Sequence, residues 1–144
     1  MSLSGGEKMT TLVAGASGAT GRLLVEQLLN RGQNVRAIVR SSDSLPEALK
    51  QHDNLSIVQA SLLDLSNPEM VQQVEGCDAV ASCLGHNMNL SGMYGQPRKL
   101  VADATRRLCN AIVANRPGKP VKFVLMNTAG NRNRDLDEPI EVMV

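Results

Sequence analysis

Aromatic residues are nearly absent from this sequence, which has one Tyr, one Phe and no Trp in 144 residues. Its core must therefore be built from Leu, Val, Ile, Ala and Met, and it has no aromatic platform on which nucleic-acid bases could stack. The formal net charge of +1 provides no basic surface for DNA, RNA or an anionic membrane. We therefore expect a small-molecule ligand and no nucleic-acid partner.

Long apolar runs are also missing, since none approaches the roughly 20 residues that cross a bilayer. Residues 1–8 are polar and rich in Gly and Ser, unlike a signal peptide. The few cysteines, Cys77, Cys83 and Cys109, lack the spacing of metal ligands. We expect reduced thiols, no metal, no membrane partner and a cytoplasmic location.

A regular alternation of strand and helix patterns runs along the whole chain. Short apolar runs predict strands at 10–14, 35–39, 55–59, 78–84 and 121–126. Apolar spacing and helix-start signals predict helices at 19–30, a short one that opens at 44–47, one from 66 to about 74, and one from about 99 to 114. Crossovers of this kind give right-handed βαβ units and a parallel sheet. The pattern predicts an α/β fold with a Rossmann-type, doubly wound parallel sheet of about five strands in the order 3-2-1-4-5.

Three glycines follow the first strand in a G-x-x-G-x-x-G pattern, Gly15, Gly18 and Gly21. In the related dinucleotide loop, the first glycine lets the strand turn sharply and the second lets the backbone approach a pyrophosphate. The third lets the helix lie close on the sheet. Free N–H groups at the helix start then receive the anion. A merely tight turn between strand and helix is the alternative interpretation.

The other residues of this loop suit the same role. Ser17 and Thr20 add hydroxyl donors, and Ala16 and Ala19 leave the backbone accessible. A nucleoside-triphosphate P-loop is excluded, because Arg22 and Leu23 follow the last glycine instead of Lys and Ser or Thr. Residues 15–21 are therefore the predicted site for a nicotinamide dinucleotide.

The choice between NAD(H) and NADP(H) depends on the end of the second strand. An NAD site usually has Asp or Glu there, which accepts hydrogen bonds from the ribose hydroxyls. This sequence has Arg40 instead, and the nearest acid, Asp43, comes three residues later. An arginine can clamp a 2′-phosphate in a bidentate manner. NADP(H) is favoured over NAD(H); a solvent-facing arginine without a ligand is the alternative.

The loop 15–21, the pair Val39-Arg40 and the segment 76–80 together resemble an atypical short-chain dehydrogenase/reductase. The nearest resemblance is to the NAD(P)-binding NmrA-like group and its biliverdin reductase B or flavin-reductase branch, over residues 10–130. This implies an NAD(P)-binding Rossmann domain at 9–130, after a disordered or expression-derived start at 1–8. Residues 131–144 would be a loop that begins the family's substrate-binding part, so we expect half of an active site.

The resemblance also implies further cofactor contacts. Residues 60–62 would lie beside the adenine, although Ser61 stands where the group usually has a carboxylate. Residues 83–85 would line the path of the ribose and nicotinamide, and Thr128, the one candidate for a catalytic role, would lie near the nicotinamide end. Ser61 as a turn residue and Cys83 as a core thiol are the alternatives. The residues assigned in this way are Ser61, Leu62, Cys83, Leu84, Gly85, Asn127 and Thr128.

The Tyr-x-x-x-Lys pair of classical short-chain dehydrogenases is not found after the fifth strand. Tyr94 is the only tyrosine, and it lies in the loop after the fourth strand with Arg98 four residues later. Three functions remain open. They are an NADPH-dependent reductase of a small planar acceptor such as a flavin or quinone, a non-catalytic NmrA-like dinucleotide sensor, and a sugar-nucleotide epimerase or dehydratase. An uncovered sheet face or edge would favour a homo-oligomer.

Overall fold

The computed structural model of the protein describes residues 8–84 and 97–126. Five parallel strands form one sheet in the order β3-β2-β1-β4-β5, which confirms the predicted fold class and strand order. The strands are β1 (Thr10–Ala14), β2 (Asn34–Val39), β3 (Leu55–Gln59), β4 (Ala79–Ser82) and β5 (Lys122–Leu125). The helices are α1 (Ala19–Asn30), α2 (Glu47–Lys50), α3 (Asn67–Val74) and α4 (Pro97–Ala114).

Two apolar layers cover the sheet, one on each face. Successive residues of a strand point to opposite faces, and both Leu12 and Val13 of β1 are fully buried. Val13 belongs to the cluster with Val25 of α1, whereas Leu12 belongs to the cluster with Met70 of α3 and Leu108 of α4. Burial on both faces explains why the central strands read as continuous apolar runs.

Local signals fix several of the element boundaries. The hydroxyl of Ser66 accepts a hydrogen bond from the backbone N–H of Glu69, and the Glu69 carboxylate accepts one from the N–H of Ser66. This capping box sets the start of α3. The start of α4 differs from the prediction, because the helix begins at Pro97 and not near Lys99. Proline suits the first turn of a helix, where its missing N–H costs nothing.

The strand β4 is shorter than the predicted run 78–84. Asp78 precedes the strand, yet its backbone N–H donates to the carbonyl oxygen of Thr10 (2.8 Å) and its own carbonyl oxygen accepts from the N–H of Lys122 (3.1 Å). Its carboxylate also accepts a hydrogen bond from the backbone N–H of Thr10 (2.9 Å). Strand β5 has β4 as its neighbour, and its Val124 and Leu125 are 59% and 44% exposed. Nothing tests the expected homo-oligomer, which stays a prediction.

Across the described ranges, every helix is too short or too polar to cross a bilayer. The same part of the chain contains no cluster of three or more residues of the types His, Cys, Asp and Glu that could hold a metal ion.

Candidate functional site

The sheet topology identifies one edge as the place for a ligand. The strand order reverses beside β1, which has β2 on one side and β4 on the other, both parallel to it. In open α/β sheets, ligands bind in the crevice outside the carboxyl ends of the strands at such a switch point. The glycine loop 15–18, Arg40, the loop after β3 and residues 83–84 all follow carboxyl ends of strands.

Gly15 lets β1 end in a turn that passes very close to β4. Its φ of +74° lies in the left-handed region, where a side chain is strained. A Cβ at this position would lie 2.8 Å from the carbonyl oxygen of Cys83 and 3.1 Å from the backbone nitrogen of Leu84. Only glycine therefore permits this contact between the loop and the backbone of the neighbouring strand end.

Gly21 lets helix α1 pack against the loop that precedes it. A Cβ there would lie 2.1 Å from the carbonyl oxygen of Gly15 and 3.0 Å from the Cα of Ala16. The sequence predicts a close approach of the helix to the sheet at this glycine. The structure shows that the closest contact is with the backbone of the loop itself.

Gly18 is different, because the protein itself does not require a glycine there. Its φ of −72° and ψ of 167° are available to any residue. A Cβ would have one neighbour within 4 Å, the carbonyl oxygen of Gly15 at 3.4 Å, and the residue is exposed. The open space above Gly18 is where a ligand would approach the backbone.

The start of α1 is open to an anion. Gly18 is its N-cap and provides no capping side chain, and the first turn contains no acidic residue. Within residues 8–84 and 97–126, no side chain accepts a hydrogen bond from that turn. In α3, by contrast, the Ser66 and Glu69 side chains take up the corresponding positions. The first N–H groups of a helix have no partner within the helix and carry the positive end of its dipole. Such a helix start is what the predicted pyrophosphate contact requires, and the contact itself stays a prediction.

The remaining residues of the loop divide between core and surface. Ala16 is fully buried in the apolar layer under α1, so only its backbone could meet a ligand. Ser17 is half-buried, and Ala19 and Thr20 are exposed at the open helix start. The hydroxyls of Ser17 and Thr20 are therefore at the same end of α1 as its open N–H groups.

Arg40 is exposed directly after β2, and its guanidinium has no hydrogen-bond or ion-pair partner within the described residues. Two other arginines behave differently. Arg36 donates to the carbonyl oxygens of Gln73 and Glu75 at the end of α3, and Arg107 donates to carbonyl oxygens before that helix. Arg40 is thus available for a ligand, whereas Arg36 and Arg107 support the fold.

The loop after β3, residues 60–65, lies next to the end of β2, because the N–H of Ala60 donates to the carbonyl oxygen of Val39 (2.8 Å). Ser61 is half-buried, and its carbonyl oxygen accepts a hydrogen bond from the N–H of Asp64 (3.0 Å), which forms a turn. The Leu62 side chain is 7% exposed and packs in the core. If Leu62 lies beside the adenine, as predicted, it would contact the adenine through its backbone.

Cys83 and Leu84 border the glycine loop through their backbone, while their side chains are 8% and 5% exposed. Burial raises the pKa of the Cys83 thiol, so it stays protonated at neutral pH. The predicted contacts of Gly85, Asn127 and Thr128 with the nicotinamide end fall outside the described residues, as does Tyr94.

A cleft of about 280 Å³ lies at the opposite, amino edge of the sheet. It is lined by the turn before β4, including Cys77 and Asp78, and by Asn115 and residues 117–121 after α4. None of the predicted site residues within the described part of the chain lines it.

The sequence also matches a known family. The profile of the family described as NAD(P)H-binding matches residues 15–141, which is most of the chain and includes the glycine loop. Cinnamoyl-CoA reductase 2 of Medicago truncatula is 29% identical over 148 aligned positions, which cover 99% of this chain and 41% of that protein. The chain spans less than half the length of the curated relatives that it matches.

Solved structures share the fold. The oxidoreductase ylbE of Lactococcus lactis superposes with a TM-score of 0.66 at 21% identity, over 88% of this chain and 52% of that one. MoeE5, solved with UDP-glucuronic acid and NAD, superposes with a TM-score of 0.63 at 25% identity, over 84% of this chain and 37% of that one. With the glycine loop, the open start of α1 and the match over residues 15–141, the chain belongs to the NAD(P)H-binding family.

Proposed function

We propose that this chain is the cofactor-binding half of an NADPH-dependent reductase that acts on a small planar acceptor such as a flavin or quinone. The observation that carries the proposal is the open helix start behind Gly18 next to an exposed Arg40 at the end of β2, which has no partner among the residues that the structure describes. Cinnamoyl-CoA reductase 2, a relative aligned with nearly the whole chain, is a reductase by name.

Each part of the crevice has a role in this proposal. The N–H groups that open α1 bind the pyrophosphate, assisted by the hydroxyls of Ser17 and Thr20. Arg40 binds the 2′-phosphate, and the loop after β3 borders the adenine. When bound, the nicotinamide would supply a hydride, and the backbone of Cys83 and Leu84 would line its path.

The proposed reaction needs little general acid–base catalysis from the described residues. The buried Cys83 thiol holds its proton because desolvation raises its pKa, so it is not a base. His52 accepts a hydrogen bond from the N–H of Asn54 through Nδ1 (3.1 Å), and it precedes β3, at the amino edge of the sheet and away from the crevice. A hydride acceptor such as a flavin can take its proton from water, which suits a site with these groups.

A sugar-nucleotide epimerase or dehydratase is the second candidate, because the similar protein MoeE5 was solved with UDP-glucuronic acid and NAD.

A turnover assay distinguishes the candidate functions. We expect the protein to oxidise NADPH when FMN or a benzoquinone is added. Gly18→Val should abolish this activity. Conversion of a UDP-sugar without net NADPH oxidation would support the second candidate, and tight NADPH binding without any turnover would support a dinucleotide sensor.

Arg40→Ala should weaken NADPH binding much more than NADH binding, because only NADPH carries the 2′-phosphate. A charge-assisted hydrogen bond contributes roughly 1.5–3 kcal/mol, so we expect a loss of about 10- to 150-fold for NADPH. The loss should decrease at high salt, because Arg40 is exposed. Neighbouring Ser41 and Ser42, or Arg22, can share the contact, which favours the lower end of that range. Calorimetric dissociation constants for both cofactors provide the measurement.

Arg31→Ala is the matched control, since Arg31 is an exposed arginine at the far end of α1. It should change neither dissociation constant. Equal losses for NADPH and NADH in Arg40→Ala, or a wild-type preference for NADH, would show that Arg40 does not bind the 2′-phosphate. No loss for either cofactor would show that Arg40 is only a surface residue.

A further inference from the structure

We infer that Arg107 of α4 is a positioning residue for the adenine end of the cofactor site, a role that rests on dinucleotide binding in the proposed crevice. Its guanidinium donates from Nη1 to the carbonyl oxygens of Leu62 and Leu63, both at 3.0 Å, and from Nη2 to the carbonyl oxygen of Leu65. A single side chain therefore holds three of the six peptide units of the loop 60–65.

The position of this loop places it at the adenine half of the crevice. In the doubly wound fold, the end of the second strand binds the adenosine ribose, and the pyrophosphate lies at the start of the first helix. The loop 60–65 follows β3, the strand on the outer side of β2, and the N–H of Ala60 bonds to the last residue of β2, Val39. The adenine of a dinucleotide bound past Arg40 must therefore meet this loop.

The geometry requires an arginine in particular. The guanidinium carries five N–H donors in a rigid planar fork, whereas a lysine ammonium is a compact point charge on a flexible stem. Arg107 is half-buried between Ala104 and Ala111 along α4, and both alanines are buried in the core. Its replacement would leave carbonyl groups of the loop without a donor, and such groups turn towards water when they are not satisfied. The loop would then lose the shape that faces the adenine.

The neighbouring Arg106 provides a matched control. It lies on the same helix, is exposed, and has Asp103 as an ion-pair partner at 3.6 Å. Exposed pairs of this kind contribute little to stability. Arg106→Leu removes the same charge as Arg107→Leu without touching the loop.

Titration with the two halves of the cofactor tests the inference. In Arg107→Leu, we expect AMP and NADPH to bind about tenfold more weakly, which corresponds to roughly 1.4 kcal/mol. Nicotinamide mononucleotide should bind as in the wild type, because it meets the other half of the crevice. Arg107→Lys should fall between Arg107→Leu and the wild type for AMP, and Arg106→Leu should match the wild type for all three ligands. Circular dichroism and thermal denaturation show how much of each variant is folded.

Unchanged AMP affinity in a folded Arg107→Leu protein would overturn the inference, as would equal losses for AMP and nicotinamide mononucleotide, which indicate general destabilisation. If Arg107→Leu does not fold, the same comparison in Arg107→Lys decides. A wild-type protein that binds neither AMP nor NADPH would overturn the inference together with the cofactor site. If the wild-type protein binds both ligands and Arg107→Leu shows the AMP-specific loss, the positioning role of Arg107 is supported even without turnover. Absence of turnover would then overturn only the proposed reductase activity.

Discussion

Gly18→Val is expected to abolish dinucleotide binding while the protein stays folded. The backbone angles of Gly18 suit a valine, and the nearest atom to a Cβ is 3.4 Å away, so the free energy of unfolding should change by about 1 kcal/mol or less. The new side chain would instead fill the space through which the pyrophosphate reaches the N–H groups of α1. Losing two or more charged hydrogen bonds of roughly 1.5–3 kcal/mol each weakens binding at least about 100-fold.

Calorimetry with NADPH, combined with urea denaturation of the same samples, measures both parts of this prediction. Gly118→Val is the control, because a Cβ at Gly118 meets nothing within 4 Å and the residue lies at the opposite edge of the sheet. It should bind NADPH like the wild type. Undiminished affinity in folded Gly18→Val would remove the glycine loop from the binding site.

Gly21→Ala is expected to have the opposite profile, with a large loss of stability. A Cβ at 2.1 Å from the Gly15 carbonyl oxygen cannot be accommodated unless α1 moves away from the loop, and the contact is with backbone that cannot rotate aside. Overpacking typically costs about 1–3 kcal/mol and occasionally more, and a clash this close with backbone belongs at or above the upper end of that range. Alanine's better helix propensity, worth roughly 1 kcal/mol, offsets only part of the cost.

The urea midpoint of Gly21→Ala should therefore fall well below that of Gly18→Val, even though alanine is the smaller side chain. The shift of α1 also displaces its open N–H groups, so NADPH affinity should decrease as well. Wild-type stability in Gly21→Ala would mean that the loop and the helix are not packed as the structure shows.

Much of this fold can be predicted from local patterns. The bounds of β1, α1 and β3 agree with the predicted ones, since each is an apolar or amphipathic segment that ends in turn-forming residues. The sharp turn at Gly15 also follows from its place directly after a buried strand. The ligand contact of Gly18 stays a prediction. The domain boundaries at residues 8 and 130, the cytoplasmic location and the preference for NADP(H) stay predictions.

The roles of Arg36 and Arg107 could not be predicted from local patterns, because both donate to main-chain carbonyls more than 30 residues away. Main-chain acceptors carry no sequence signal. One partial signal was present for Arg107, which lies three residues after Ala104 and four before Ala111 and thus on the buried side of α4. A charged residue on the buried side of a helix predicts that it has a buried partner, but the sequence does not identify that partner.

The location of the bound dinucleotide is the central claim, and chemical-shift mapping of the isotope-labelled protein with NADPH tests it most directly. The amide signals of Ser17, Gly18 and Thr20, together with that of Arg40, should shift the most and saturate together. Signals from the cleft at the amino edge of the sheet, such as those of Cys77 and Asn115, should stay in place. Shifts concentrated in that cleft, with the glycine loop unmoved, would contradict the account.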